Sequence, residues 1–574
     1  MSERILIVAP PLDFRALLEA LVPDYRVAED GDREILETYL DTFDWALYGA
    51  GLALVLTRRR LTLLPLESGA PLAAVGLRTQ TPPRFVRDVP AGRLRDALAP
   101  RAGVRALLRL VTLHRRGAVW RVSNRAGEIV SRLRLEHLAL AAVPGSAGDV
   151  PRTAERGHAG SGRRTIERGN AGNARRTADR GNAGTRGGAI ATPGPDLGER
   201  PAPFVDIAVV EPRRGYDQDA AAIRDALASA GAAEPGRPLL ALALAAAGRR
   251  PCAYRSKPRV KISAERPARE AVARIARRLL RTMRENEAGV RQDVDVEFLH
   301  DFRVAVRRTR SLLSSVQGVY PPESIEPFTR DFRELGRLTG PLRDLDVFLL
   351  RDEEYERLLP GSLRPGLGPL FARLVRSRQA ARDELMVAFD GPAYRGLLSR
   401  WQRFLSRAGQ LELGESPRSG LTAAELAGWA IGKHHRRLVA KGRAITPRSP
   451  DDDLHALRIE GKKLRYLLEF FGSLYPGGAH GKLVKHLKAL QDELGELNDV
   501  AVQTANLEAI LGDVGEPPPP LTAAAVGALL AELATRRKVV RGAVVTAFAR
   551  FDSPRTRQLF HALDLKTPPD DQKT

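Results

Sequence analysis

The C-terminal half of the chain contains the same pattern of basic residues twice, and no other feature constrains the fold as strongly. A histidine is followed by basic residues at offsets of three, seven, eight and ten, first in residues 300–310 (HDFRVAVRRTR) and again in residues 455–465 (HALRIEGKKLR). At about 100° per residue, offsets three, seven and ten fall on one side of an α-helix, and offset eight lies on its flank. The sequence therefore predicts two helices that each carry a narrow cationic stripe.

Each predicted helix also has an apolar face opposite its stripe. The first stripe consists of His300, Arg303, Arg307 and Arg310, with Arg308 on its flank, and the second consists of His455, Arg458, Lys462 and Arg465, with Lys463 on its flank. The opposite faces carry large apolar residues such as Phe298, Phe302, Leu464 and Leu467. Because an amphipathic helix buries its apolar face, we expect both stripes to face away from the core.

Further features recur at matched distances from the two histidines. Basic residues lie 22 and 19 positions before each of them: Arg278 and Arg281, then Lys433 and Arg436. Downstream, the segment 335–347 has a counterpart in 487–500, and each segment ends close to an acid, Asp346 or Asp499. Four matched features predict a duplicated helical unit.

The composition of the stripes predicts an anion site. A solvated helix face usually mixes acids and bases, because pairs of opposite charge three or four residues apart stabilise a helix. Here the cations are stacked without an acid, so their repulsion costs stability unless an anion neutralises it. A solvated basic surface is the alternative interpretation. Each histidine could instead make a capping or core hydrogen bond, and metal ligation is disfavoured because arginines surround both histidines.

The overall charge narrows the class of partner. The 574 residues include 91 Lys and Arg against 69 Asp and Glu, a formal charge of +22, which favours nucleic acid, an anionic membrane surface or polymeric phosphate. The single cysteine, Cys252, excludes an internal disulfide framework and a cysteine-based zinc site. No signal-peptide layout and no apolar segment of membrane-spanning length is present. We therefore expect a cytoplasmic protein without a membrane partner.

The secondary-structure pattern of the sequence changes along the chain and predicts an α+β multidomain protein. Short β-like runs occur before residue 150 and again near residue 204, whereas helical periodicity dominates after residue 268. Between them lie three tandem twelve-residue units rich in Arg, Gly, Asn and Ala, which we expect to be a disordered linker, either a basic arm for a polyanion or a repeat expansion in a permissive loop. The predicted divisions are 1–150, 151–200, 201–262, 268–415 and 420–565.

The doubled motif resembles the CHAD family, whose name abbreviates conserved histidine α-helical domain, over roughly 268–565. The resemblance implies two pseudo-symmetric four-helix bundles around a basic groove that binds inorganic polyphosphate, and association with polyphosphate granules. It makes all the basic and histidine residues named above candidate phosphate contacts. It also makes Asp346 and Asp499 candidates for orienting those basic residues.

The segment 34–60 resembles the CYTH or triphosphate-tunnel fold, an antiparallel β-tunnel that the resemblance extends over 1–262 around the linker. Active members of that family hold metal with inward acids and triphosphate with inward bases. This chain opens with Glu3-Arg4-Ile5 rather than alternating acids, and a late strand carries Arg132 and Arg134. Only scattered acids such as Asp206 and Glu211 remain. We therefore expect a degenerate tunnel without hydrolase activity, metal or cofactor.

These observations favour a non-catalytic polyphosphate-binding protein. An inorganic triphosphatase of the tunnel type is the first alternative, and the missing acids weigh against it. Nucleic-acid binding is the second alternative, but aromatic residues make up 5% of the chain and do not alternate with the stripe residues. The sequence leaves the oligomeric state and the preferred polymer length open.

Overall fold

The structure, a computed structural model, describes residues 4–9, 13–67, 70–141, 203–256, 260–409, 416–513, 516–563 and 565. These residues divide into two units. One contains the described residues within 1–103 and 107–252, and the other contains those within 104–106 and 253–574. The predicted linker at 151–200 lies outside the described residues.

The first unit is built on an antiparallel sheet. Eight strands of the described residues form it, in the order β1-β8-β7-β6-β2-β3-β4-β5, so that β1 and β5 are its edges. The strands are β1 (Arg4–Val8), β2 (Arg26–Asp41), β3 (Leu52–Thr57), β4 (Arg60–Pro65), β5 (Ala73–Gly76), β6 (Leu108–Ser123), β7 (Ile129–Leu140) and β8 (Pro203–Pro212). The antiparallel sheet confirms the predicted class of the front half, whereas a closed tunnel remains a prediction.

Short helices cover parts of both faces of this sheet. They are α1 (Phe14–Glu19), α2 (Arg93–Ala102), α3 (Asp217–Ser229) and α4 (Leu239–Ala246). Because side chains alternate along a strand, Ala208 and Val210 of β8 join a core with residues of α1 and α3, while Ile207 and Val209 join a separate core with residues of α4. The alternation along β8 therefore places apolar side chains in two cores.

The second unit is helical. Its helices are α5 (Ala268–Arg291), α6 (Val296–Ser315), α7 (Pro322–Leu338), α8 (Gly340–Leu349), α9 (Asp352–Leu358), α10 (Leu367–Asp390), α11 (Pro392–Arg407), α12 (Ala423–Arg443), α13 (Asp451–Phe470), α14 (Gly478–Leu511), α15 (Pro520–Phe551) and α16 (Pro554–His561). Helix α13 begins and ends 155 residues after α6 begins and ends, which is also the distance between the two histidines. Helix α12 likewise begins 155 residues after α5 begins. The all-helical class predicted for the back half is confirmed.

The starts of α5 and α12 pair reciprocally. The amide of Ala268 donates to the carbonyl of Leu421 at 2.8 Å, and the amide of Ala423 donates to the carbonyl of Arg266 at 2.7 Å. The two donors occupy corresponding places in the repeats, as do the two acceptors. Such an exchange of equivalent contacts is the signature of twofold symmetry. Pseudo-twofold symmetry therefore relates the two repeats at this point, as the duplication predicts.

The third helix of the repeat differs between the two halves. In the second repeat α14 runs without interruption, whereas in the first repeat α7 ends before Thr339 and α8 begins at Gly340. Pro341 fits the first turn of α8, where an amide has no partner within the helix. The break leaves Thr339, fully buried, and Gly336 as acceptors for a side chain of α6.

No helix among the described residues is both long and apolar enough to cross a lipid bilayer.

Candidate anion-binding site

The two stripes lie on helices that pack against each other. Asp295 caps α6 by accepting from the amide of Glu297 at 2.8 Å, and Phe298 and Phe302 are fully buried. Because these rings anchor one side of α6 in the core, the opposite side carries the stripe. The guanidinium of Arg308 donates to Glu469 of α13, so α6 and α13 are linked directly.

The charges of the two stripes act on each other across this contact. The pKa of Lys462 is lowered to about 7, chiefly by burial and then by the positive charges of Arg458 and Arg307. The pKa of Arg458 is also lowered, chiefly by burial, while Asp499 opposes the shift and Arg307 adds to it. Arg307 belongs to the first stripe, and the other two cations belong to the second. The structure therefore brings the centres of the two stripes together.

Arg307 and Lys462 are both half-buried and have no ion-pair or hydrogen-bond partner among the described residues. Buried cations are ordinarily paired, because removing a charge from water costs free energy that only an opposite charge or several acceptors can offset. Two neighbouring cations without partners leave this cost in place. An anion between them would offset it.

Other stripe arginines are held in position by neutral acceptors. Arg303 donates to the carbonyl of Gly336 at 3.0 Å and to the hydroxyl of Thr339 at 2.9 Å. Arg458, its counterpart, donates to the side-chain oxygen of Asn498 at 2.7 Å. Neither contact neutralises the guanidinium. These bonds therefore orient the arginines while leaving their charge available.

The two histidines differ in their surroundings. His300 is half-buried, and its pKa is lowered to about 3, chiefly by burial and then by the charges of Arg343 and Arg307. In the ligand-free protein it is therefore neutral near pH 7, with one ring N–H as a donor. His455 is exposed at the start of α13. In the described part of the chain, no cluster of three or more His, Cys, Asp or Glu could hold a metal ion.

The prediction that the stripes contain no acid is wrong at their flank. Glu469 lies four residues after Arg465, 3.6 Å from its Nε, and also accepts from Arg308 across the helix pair. Arg308 is only 4% exposed, and its guanidinium lies 5.2 Å from the ring centre of Tyr466. Arg308 therefore joins α6 to α13, and its charge is already compensated.

Asp346, the first predicted orienting acid, is paired with an arginine outside the stripes. Asp346 is 1% exposed and accepts from the Nε of Arg378 at 2.7 Å, and burial raises its pKa to about 6. The acid whose charge acts on Arg303 is Asp344. Asp344 follows His300 by the distance that separates Asp499 from His455, and Asp499 acts on Arg458 in the same way. Equal spacing therefore identifies Asp344 as the counterpart of Asp499.

The basic residues predicted on the preceding helices are dispersed. Arg278 is half-buried on α5, and Arg281 forms an ion pair with Glu285 at 2.8 Å. The Nζ of Lys433 lies 4.5 Å from the ring centre of Trp429. The pKa of Lys433 is lowered, chiefly by burial and then by the charges of Arg437 and Arg418, and the charge of Lys463 of the second stripe adds to the shift.

Arg436 is placed elsewhere. It lines a groove between α12 and the residues around the start of α16, together with Asp552 and Arg557. Arg436 lies three residues after Lys433 and is exposed, and its assignment as a phosphate contact stays a prediction.

Two basic residues were missed by the sequence reasoning. The charge of Arg343 acts on His300 and Arg303, and its Nη1 donates to the carbonyl of Val296 at 2.9 Å. The charge of Arg333 acts on Arg310. Both lie on helices other than those of the stripes, so the periodicity of one helix carries no signal for them.

In the first unit, acids that looked scattered in the sequence meet on the sheet. Arg115 donates to Glu37 at 2.9 Å and to Glu136 at 2.8 Å. Arg134 lies 3.3 Å from Glu136 and also pairs with Glu211. Glu136 is 1% exposed. The three acids are therefore interleaved with arginines, in place of the free carboxylates that a divalent cation requires.

Comparisons with known proteins identify the helical segment. Residues 274–508 match the family model described as the CHAD domain, and this range contains both stripes. Two proteins of Mycobacterium tuberculosis, uncharacterized protein MT2285 of strain CDC 1551 and uncharacterized protein Rv2226 of strain H37Rv, are each 26% identical over 239 residues. That match covers 38% of this chain and 42% of each relative, so the chain spans less than half the length of these curated relatives.

Two solved structures are each similar to about half of this chain. The CHAD domain from the plant Ricinus communis is 26% identical, with a TM-score of 0.39, and the match covers 53% of this chain and 96% of that one. PptA from Streptomyces chartreusis is 17% identical, with a TM-score of 0.40, and the match covers 49% of this chain and 99% of that one.

Proposed function

Since residues 274–508 form a CHAD domain, we propose that the chain binds inorganic polyphosphate along the two stripes, with α6 on one side of the polymer and α13 on the other. One observation carries the proposal. Arg307 and Lys462 lie on the two packed stripe helices, are half-buried and have no partner among the described residues, and the charge of Arg307 helps to lower the pKa of Lys462. A chain of phosphates supplies anions to both residues at once.

The chemistry of the stripes matches that of an inorganic polymer. Each phosphate repeats the same charge and offers nothing else to recognise, so a line of guanidinium and ammonium groups is sufficient. Arginine can bind two phosphate oxygens through its planar fork, whereas lysine acts as a point charge. Single-stranded nucleic acid would need exposed rings on which bases could stack. Tyr466, the aromatic ring beside the stripes, is 5% exposed and lies beneath Arg308 and Arg465.

The proposed function is binding without catalysis. Phosphoryl transfer by a tunnel enzyme needs several carboxylates that hold divalent metal near the substrate. Glu37, Glu136 and Glu211 are instead engaged with Arg115 and Arg134. We expect the purified protein to release no phosphate from tripolyphosphate in the presence of Mg²⁺ or Mn²⁺. Metal-dependent release above that of a heat-denatured sample would refute this part.

A charge-matched pair of variants tests the site. Arg307→Gln/Lys462→Gln removes two cations from the stripes, and Arg395→Gln/Arg403→Gln removes two exposed cations of α11. At about 1.5–3 kcal/mol for each charged contact, the first variant should lose at least roughly 100-fold in affinity for long-chain polyphosphate. The control should remain within a few fold of the unmodified protein. Equal losses in both would show that net charge alone, and not the cleft, binds the polymer.

Competition separates the proposal from nucleic-acid binding. Polyphosphate and single-stranded RNA of equal charge would be titrated against a labelled polyphosphate complex at physiological salt. We expect polyphosphate to displace the label at a much lower concentration than RNA. In cells that accumulate polyphosphate, a fluorescent fusion should colocalise with the granules, and the Arg307→Gln/Lys462→Gln fusion should not.

A further inference from the structure

A second basic concavity lies in the helical unit, on helices other than those that carry the stripes. It is a groove of about 310 Å³ lined by His435, Arg436, Val439, Ala440, Arg443, Asp552 and Arg557. The first five residues lie on α12, and the last two lie at the end of α15 and on α16. This volume is at the lower end of the range typical of small-molecule sites.

The charges of the groove do not balance. Arg443 and Asp552 form a bidentate pair, with Nε to Oδ2 at 2.7 Å and Nη2 to Oδ1 at 3.2 Å. This pair neutralises the one acid that lines the groove. Arg436 and Arg557 are exposed, and neither has an ion-pair partner among the described residues. Two positive charges on separate helices are therefore left for a ligand, which matches the charge of a phosphate monoester dianion.

The remaining lining is rigid and partly apolar. The ring of His435 stacks on Phe560 with ring centres 3.7 Å apart, and Phe560 is 7% exposed. This stack joins α12 to α16, the two helices that carry Arg436 and Arg557. Val439 and Ala440 contribute apolar surface beside the two arginines. A bare inorganic anion would leave that surface without a contact.

We propose that this groove binds a small organic phosphate monoester, with Arg436 and Arg557 on the phosphate and Val439 and Ala440 against the organic part. The inference goes beyond polyphosphate binding, because it concerns a separate site, a different size of ligand and residues outside the stripes. A dianionic end group distinguishes this ligand from the internal phosphates of a polymer, which carry one charge each.

Calorimetric titration of the full chain with AMP at low salt tests the proposal. AMP should bind saturably, and adenosine, which lacks the phosphate, should not bind. Orthophosphate should bind at least tenfold more weakly than AMP, because it makes no apolar contact. Arg436→Gln and Arg557→Gln should each weaken AMP binding about tenfold or more, and Ala440→Phe, which fills the groove without changing charge, should abolish it.

Two controls locate the effect. Arg555→Gln removes an exposed charge from α16 that does not line the groove, and it should leave AMP affinity unchanged. The variant Arg307→Gln/Lys462→Gln should retain AMP binding while losing polyphosphate, so failure here and failure of the proposed function are distinguishable. Loss of AMP binding in that variant, unchanged affinity in both groove arginine variants, or tighter binding of orthophosphate or tripolyphosphate than of AMP would each overturn the inference.

Discussion

Lys462 should make polyphosphate binding depend on pH near neutrality. Burial and the charges of Arg458 and Arg307 lower its pKa to about 7 in the ligand-free protein. A phosphate beside the ammonium favours the charged form and raises the pKa in the complex. Above pH 7 the complex therefore holds a proton that the free protein lacks. Affinity is strongest below pH 7 and falls as the pH rises from there towards the pKa of the complex.

The size of the effect follows from the two pKa values. If the bound polymer restores Lys462 to its ordinary value of 10.5, affinity falls about tenfold between pH 6 and pH 8, and about 90-fold between pH 6 and pH 9. A smaller rise in the bound pKa leaves the fall near pH 8 almost unchanged and flattens the curve above it. The measurement requires a long polymer. Terminal phosphates also titrate near neutrality, and in a long polymer they are few relative to the internal phosphates.

Isothermal titration calorimetry measures this linkage in two ways. The dissociation constant is determined at pH 6, 7, 8 and 9, and the number of protons taken up is determined at pH 8 from buffers of different ionisation enthalpy. We expect uptake of close to one proton at pH 8. Lys462→Arg keeps the charge without titrating in this range, so its uptake should be near zero and its affinity nearly flat. The same pH dependence in Lys462→Arg would refute the reasoning.

Further outcomes follow from the same contacts. The logarithm of polyphosphate affinity should fall linearly with the logarithm of salt concentration, and Arg307→Gln/Lys462→Gln should reduce that slope by roughly 0.7 per contact removed; an unchanged slope would remove both residues from the interface. Glu469→Gln leaves the guanidinium of Arg308, which is 4% exposed, without its acid, and should lower the free energy of unfolding in urea by about 3 kcal/mol. Gly289→Ala would place a methyl group 2.2 Å from the buried ring of Phe298 and should cost about 1–3 kcal/mol. Gly527→Ala, in open space on α15, should instead stabilise by about 0.5–1 kcal/mol, and equal effects of the two would contradict the packing described for α5 and α6.

Which face of each stripe helix is buried could be predicted from the sequence, because it depends on the residues of one helix at a time. Phe298 and Leu464 are fully buried, while Arg303 and Lys462 lie on the opposite faces. The repeat was predictable for a similar reason. Equal spacing of several features fixes corresponding residues without any knowledge of tertiary structure, and Asp344 was missed only because a similar ending, Asp-Val, was matched in place of equal distance.

Contacts between distant segments could not be predicted. Glu469 belongs to α13 yet compensates Arg308 of α6, which lies 161 residues earlier in the chain. Arg115 meets Glu37 across 78 residues. Periodicity describes which way a side chain points but not which neighbour it meets. Strand β5 could not be predicted from the sequence, because Ala73–Gly76 has little of the β-branched alternation that marks a strand, and its place depends on pairing with β4.

The central claim is that a single polyphosphate chain lies between both stripes. Calorimetry with a short polyphosphate of defined length, titrated into the unmodified protein, Arg303→Gln/Arg307→Gln and Arg458→Gln/Lys462→Gln, tests it most directly. A shared cleft predicts one chain per protein in the unmodified protein, and weaker affinity with the same stoichiometry in both variants. Two chains per protein, with each variant losing one chain and binding the other at unchanged affinity, would show that the stripes are separate sites.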